Sequence, residues 1–408
     1  MLTSSALDDL RVLEIGDLVA GPFAARLLAD AGAEVIKIEP LAGDSSRRRG
    51  PFPKGIPDPE QSGLYHYLNA NKLGIALDLG CAEGKALLRS LVRRADILLI
   101  DAPTAEIDRL GLRFSRLRTA NPKLIVTTLT PFGLTGPRRL HLGSDLISVS
   151  AGGLAYASPG VPDMPRDPYE EPPLRANTQV GDYIAGLQAV SATLAAVEQK
   201  AKTHRGCEVD ISRQEAVAML MVWEIAHASY LAPKKRNPEI SGSQPNAYLP
   251  CKDGFVVVAA FLEHHWRGLV RAMGNPDWAA TQVFATAAER ARNWDALEPL
   301  ITEWTMSLNG QEIATVAQQH GVPCFPALTI GQMVESAHVN ERGYLRSEPL
   351  AGGGKMLLPG YPVRMSQSPW AMRWSAPRLG EHTDQVMKEK LGRSNQDIAR
   401  LRRLGVVR

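Results

Sequence analysis

Apolar and polar positions change period in a repeating order along the first third of the chain. RVLEI at 11–15 is a short apolar run of the kind a buried strand makes, and 16–21 form a loop closed by glycines. Residues 22–31 repeat at helical spacing with Pro22 in the first turn, and EVIKIE at 34–39 is a second strand. This predicts a βαβ unit. The order continues with GIALDL (74–79), the helical CAEGKALLRSLVRRA (81–95), the apolar run ILLI (97–100), the helix-like LRFSRLRTA (112–120) and the strand-like KLIVTTL (123–129). Strands alternating with helices predict a doubly wound α/β fold around a parallel sheet. No G-x-G-x-x-G follows the first strand, so Glu39 at the end of the second is weak support for a nicotinamide site.

From Gly152 to Asn177 the chain is rich in Gly, Pro, Asp and Glu and reads as a long exposed loop. DYIAGLQAVSATLAAVEQKAK then predicts an alanine-rich helix of about five turns, ended by basic residues and Gly206, and RQEAVAMLMVWEIAHASYLA a second long helix. APKKRNPEISGSQPN reads as a linker, and AYLPCKDGFVVVAAF as a hairpin turning at Lys252, Asp253 and Gly254. Helical stretches follow, then Pro-rich and Gly-rich sequence from 322 to 380 and a basic terminal helix. The expected division is a first part of a large domain over 1–215, a linker over 216–246, a small α+β domain over 247–330, and a C-terminal segment over 331–408.

Composition narrows the function classes. With 44% hydrophobic and 22% charged residues in 408, the chain has the material for two packed cores. The 46 basic and 43 acidic residues leave a formal charge of +3, too little to hold nucleic acid, so an anionic ligand is expected to be small. Cys81, Cys207, Cys251 and Cys324 have no metal-ligand spacing and suggest no disulfide framework. No basic leader opens the chain and no apolar run has membrane-spanning length, which predicts a cytoplasmic protein with no membrane partner.

Familiar hydrolytic arrangements are missing: there is no G-x-S-x-G, H-E-x-x-H or Walker loop, and adjacent His264 and His265 do not share a helix face. The remaining chemistry-bearing position is Asp182 in VGDYIAG, between the long loop and the alanine-rich helix, where first-turn amides favour an anion. From the residues alone an N-terminal helix cap explains it equally well and is commoner.

LDDLRVLEIGDLVAGPFAARLLADAGAEVIKIEP, GDSSR, NANKLGIALDL, IDRLGL, PFGLTGP, SDLISVSAGG, VGDYIAGLQAVSATLAAV, HGVPCFP and APRLGEHTDQVMKEKLG occur in one order along nearly the whole chain. In these blocks the chain resembles the class III CoA-transferases, a family that also includes α-methylacyl-CoA racemase. The resemblance implies a Rossmann-like large domain formed by both chain ends, a small inserted domain and two chains interlocked as a homodimer. It also implies acyl-CoA and carboxylic acid substrates and no permanently bound cofactor or metal. It makes Asp182, followed by Gly186, the nucleophile. Coenzyme A contacts carried over fall on Val19, Ala20, Arg47, Leu77, Asp78, Leu79, Gly80, Asp101, Ala102, Pro103 and Arg109, with Asp145 added; Gly242 and Gln244 belong to an active-site loop expected to close over the intermediate. From the residues alone Leu77 and Leu79 are also ordinary strand positions and Arg109 an ordinary solvated charge.

Three positions depart from the family pattern: Gly80 where Lys or Arg is frequent, LLIDAPTAE in place of E-N-F-R-P-G, and ISGSQ where a glycine run is expected. The implied chemistry passes through aspartyl mixed-anhydride and aspartyl-CoA thioester intermediates. Two other readings stand beside it. One is the racemase, which carries a histidine before the aspartate of the preceding helix, where this chain has Ser144, with His141 three residues earlier. The other is a non-catalytic acyl-CoA-binding protein of the same fold.

Overall fold

The computed structural model of the chain describes residues 5–158, 176–230, 245–349 and 355–408. They fall into two compact units, one of Met1–Pro233 with Gly343–Arg408 and one of Lys234–Arg342. The return to the large unit therefore begins at Gly343, later than the expected 331.

The large unit is built on a six-stranded sheet in which every neighbouring pair is parallel. β1 (Arg11–Gly16) leads through α1 (Ala20–Asp30) to β2 (Glu34–Glu39), and α2 (Gly63–Asn69) leads to β3 (Lys72–Ala76). α3 (Ala82–Val92) returns the chain to β4 (Ile97–Asp101), and α4 (Thr104–Leu110) precedes β5 (Ile125–Thr130). α5 (Asp145–Ala151) and the 24-residue α6 (Val180–Thr203) then lead to β6 (Glu208–Ser212) and α7 (Arg213–Ala218). The strand order is β3-β2-β1-β4-β5-β6, so the direction of winding reverses between β1 and β4.

The alternation of strand side chains makes two cores, one on each face of the sheet. Leu13, Ile36, Ile38, Leu98, Ile100 and Val126 face α3 and the terminal helices through Leu87, Leu91, Met387 and Leu401. Val12, Val35, Ile97, Leu99 and Ile125 face α1 and α6 through Ala24, Leu28, Ala185 and Ala189. Among the described residues α6 is the one helix long and apolar enough to cross a membrane. Its face of Ala185, Ala189, Thr193 and Ala196 is buried on this core, and the Thr193 and Thr127 hydroxyls share a 2.7 Å hydrogen bond.

Three elements differ from the sequence expectation. β6 was not expected, because EVDIS alternates polar residues into an edge strand; Asp210 there accepts the Leu134 N–H at 2.9 Å. The strand through GIALDL stops at Ala76, since Leu77 bridges Val407 and the Asp78 N–H donates to the Val406 carbonyl at 2.9 Å. The second long helix is broken into α7 and α8 (Val222–Tyr230).

The small unit holds β7 (Asn246–Cys251), β8 (Gly254–Ala259) and β9 (Cys324–Pro326) as an antiparallel sheet. The hairpin turns at Lys252 and Asp253, and helices bring Trp266, Leu297, Ile301 and Ile313 onto Leu249, Val256 and Val258.

Candidate active site

In a sheet wound in this order, ligands bind beyond the carboxyl ends of the strands where the winding reverses. At that point β4 ends in Asp101, β1 leads into the start of α1, and the edge strand β6 runs into Arg213. The Gly21 N–H donates to Asp101 Oδ2 at 2.8 Å. A Cβ on Gly21 would lie 2.5 Å from the Asp101 Cβ, so only glycine admits this closeness. The other Asp101 oxygen accepts from the Arg213 guanidinium. Arg213 Nε then lies 3.3 Å from Asp182 Oδ1.

Asp182 sits in the first turn of α6 and is 5% exposed. The cap position is Gln179, with no side-chain cap bond, and the Asp182 N–H is taken by Asp145 Oδ1 at 3.0 Å. The helix start is thus served by Asp145, not by the Asp182 carboxylate. Asp182 Oδ1 and Arg213 Nε are sealed from solvent and neither has a hydrogen-bond partner among the described residues: they are close enough to attract but not aligned to bond. Gly186 brings α1 against this turn, because a Cβ there would stand 2.9 Å from the Ala20 carbonyl oxygen. Tyr183 meets Phe23 edge-on with ring centroids 4.8 Å apart.

Two carboxylates, Asp101 and Asp182, therefore share one guanidinium, with a third, Asp145, close by on the Asp182 N–H. Burial pushes Asp182 from 3.8 up to about 6; Arg213 pulls against this, and Asp101 and Asp145 add to it. Burial also raises Asp101, opposed by Arg213 and by the Gly21 N–H.

A second buried charge network lies under the loop that follows β1. Lys37 Nζ contacts Glu14 at 2.9 Å, Asp44 at 2.7 Å and the Gly16 carbonyl at 3.2 Å. Lys72 Nζ reaches Glu14 at 2.7 Å, Asn69 at 2.9 Å and the Pro22 carbonyl at 2.8 Å. Asp44 takes the Leu18 N–H at 3.2 Å, so the loop carrying Val19 and the start of α1 at Ala20 is pinned from below.

The other expected ligand positions spread around this edge of the sheet. Val19 and Ala20 are buried as whole residues, and the Val19 carbonyl accepts the Phe23 N–H at 2.7 Å. Leu77 and Leu79 are core residues, Asp78 is half-buried and accepts the Gly80 N–H at 2.8 Å, and Gly80 is exposed. Ala102 and Pro103 follow Asp101, and Arg109 is exposed on α4, bound to Glu106 at 2.7 Å. Gly242 and Gln244 lie outside the described residues.

Arg47 departs from its expected role as a coenzyme A contact. It is 1% exposed, and its guanidinium donates to Glu39 at 2.7 and 2.8 Å, Glu60 at 3.0 Å, the Tyr65 hydroxyl and the Pro377 carbonyl. It ties the chain after β2 to the returning C-terminal segment.

The family model for CoA-transferase family III matches residues 7–383. The chain belongs to this family. Among curated relatives of this family III chain, succinyl-CoA–D-citramalate CoA-transferase of Chloroflexus aurantiacus is 31% identical, over 98% of this chain and 98% of its own. Succinate–glutarate CoA-transferase of Agrobacterium fabrum is 31% identical over 94% and 95%. The formyl-CoA:oxalate CoA-transferase of Streptomyces avermitilis is 29% identical over 99% and 100%. A CAIB/BAIF family protein from Brucella suis has the same fold, with a TM-score of 0.81 at 26% identity over 95% of this chain and 99% of that one.

In this family III enzyme Arg213 carries no marker in the sequence. A charged residue at a helix start reads as solvated, and only its place directly after a parallel strand could have flagged it. That signal was hidden because β6 itself was not expected.

Proposed function

We propose that the enzyme moves coenzyme A from an acyl-CoA donor to a carboxylic acid acceptor with Asp182 as its nucleophile. The observation that carries this reading is the buried Asp182 carboxylate: it caps no helix, has one oxygen without a hydrogen bond among the described residues, and lies beside the crevice where such sheets bind ligands. An Asp182 oxygen attacks the thioester carbonyl, and the C–S bond breaks to release CoA thiolate and leave a mixed anhydride. The thiolate then attacks the aspartyl carbonyl, expelling the acyl carboxylate and leaving an aspartyl-CoA thioester. An acceptor carboxylate reverses the two steps, and no net proton is moved. With its pKa near 6, the Asp182 carboxylate is mostly ionised at neutral pH without a general base.

The segment at Val19 and Ala20, the turn at Leu77–Gly80, the Asp101–Pro103 segment and Arg109 are the proposed coenzyme A contacts. The exposed side chains of Val222, Trp223, Ile225 and Tyr230 support a homodimer as the working form. We read its place of action as the cytoplasm, without nucleic acid or membrane. No geometry favours racemisation: Ser144 precedes Asp145, and His141 is exposed with its ring 6.0 Å from Phe132.

The relatives' names put succinyl-CoA and formyl-CoA first in a donor panel, with dicarboxylic acids as acceptors. Chromatographic detection of a new acyl-CoA in that screen is the expected result. Deuterium uptake at the α-carbon of a 2-methylacyl-CoA without any transfer would replace this reading by the racemase.

A further inference from the structure

Resting on the reading of Asp182 as nucleophile, we propose that Arg213 is a further catalytic residue, whose Nε–H receives the oxyanion formed on Asp182 Oδ1. Arg213 opens α7 directly after β6, and its guanidinium is divided between two carboxylates. Its terminal nitrogen is committed to Asp101, while Nε is buried, without a hydrogen-bond partner among the described residues, and 3.3 Å from Asp182 Oδ1. A buried N–H left without a bond costs stability and is rare in folded proteins, so its persistence calls for a use.

The reaction supplies one. Oδ1 is the sealed oxygen, so the other oxygen attacks the donor and Oδ1 remains as the aspartyl carbonyl. When CoA thiolate adds to that carbon, the C–S bond forms and the C=O electron pair moves onto Oδ1. The oxyanion then forms 3.3 Å from Nε, whose N–H comes into line with it as the charge develops, and collapse restores the carbonyl as the acyl carboxylate leaves. Donors held in place for charge that develops only in the transition state are the effective kind.

Asp101 makes the arrangement reusable. Acylation removes the charge of Asp182, and Arg213 would be a buried cation with no counter-ion at every turnover; its pairing with Asp101 avoids this. The groups facing Arg213 are Asp101 from β4, Asp145 from α5, Asp182 from α6 and Asp17 from the loop after β1. Burial alone would lower the Arg213 pKa, and these carboxylates more than offset it.

The test compares Arg213→Gln, Arg213→Lys and Asp182→Asn, using the best donor and acceptor of the screen. Arg213→Gln is expected to slow both labelling of Asp182 and kcat by about 10²- to 10³-fold, with the donor KM little changed. The acid limb of its rate profile moves to higher pH, because Asp182 has lost its cation. A folded Arg213→Gln enzyme with wild-type labelling, kcat and acid limb overturns the assignment. Should that variant not fold, Arg213→Lys decides: its single ammonium cannot serve both carboxylates, so kcat falls by about tenfold or more at constant KM, whereas wild-type kcat refutes the role. Transfer by Asp182→Asn would instead remove the nucleophile reading itself, independently of Arg213.

Discussion

Two buried charge clusters lie at the same edge of the sheet and are built in opposite ways. Under the first loop, Lys37 and Lys72 meet Glu14 and Asp44, two cations with two anions, and both ammonium groups also take backbone carbonyls. Around α6, Asp101 and Asp182 share Arg213 while Asp145 sits on the Asp182 N–H, three anions to one cation, and two facing atoms have no hydrogen bond among the described residues. The balanced cluster stabilises a loop; the unbalanced one stores an electrostatic cost at the position where a reactive carboxylate is needed. Burial acts on both, but in the first the partners prevail: Lys37 is desolvated, yet Asp44, Glu14 and Glu39 still raise its pKa.

The largest expected difference is in activity. Asp182→Asn removes the nucleophile and should lower kcat by about 10³-fold or more in a steady-state transfer assay, with the circular dichroism spectrum unchanged. Lys37→Met should act on the other cluster and on stability instead, leaving Glu14 and Asp44 short of a cation at a cost of about 3–5 kcal/mol in urea unfolding.

The third prediction sharpens the contrast through pH. Asp182 is raised from 3.8 to about 6, so the fold favours its protonated form; the resulting stability is present below about pH 4 and lost as pH rises through 6. Asp182→Asn cannot ionise and should unfold about 2–3 kcal/mol less readily than wild type at about pH 8, with the difference vanishing near pH 4. Calorimetry at the two pH values checks this, and a destabilised variant at the higher pH would show that the cluster is not strained.

Smaller effects follow at the margins. Gly186→Ala forces α1 away from α6 and should cost about 1–3 kcal/mol, with a fall in kcat as the Asp182 turn shifts. Arg109→Ala should leave the melting temperature unchanged and raise the donor KM, since its guanidinium is exposed and, among the described residues, bound only to its neighbour Glu106.

Much of this was legible in the sequence, for identifiable reasons. β1, β2, β4 and β5 are buried on both faces, so their apolar runs stand out, and Asp182 follows a loop and opens an alanine-rich helix. β6 was hidden because Glu208 and Asp210 interrupt its apolar pattern at the sheet edge, and Arg213 was hidden with it. Arg47 looked like a ligand contact because a local motif does not reveal that Glu39, Glu60 and Tyr65 converge on it from distant positions. Gly21 shows the same limit: its need for a missing Cβ comes from Asp101, eighty residues later in the chain.

The most direct test of the central claim is intact-mass and peptide-mapping spectrometry of the enzyme mixed with the acyl-CoA donor and trapped with hydroxylamine or borohydride. The account predicts a modification confined to the peptide carrying Asp182 and absent from Asp182→Asn. A modification on another residue, or turnover by Asp182→Asn with none on this peptide, would contradict it.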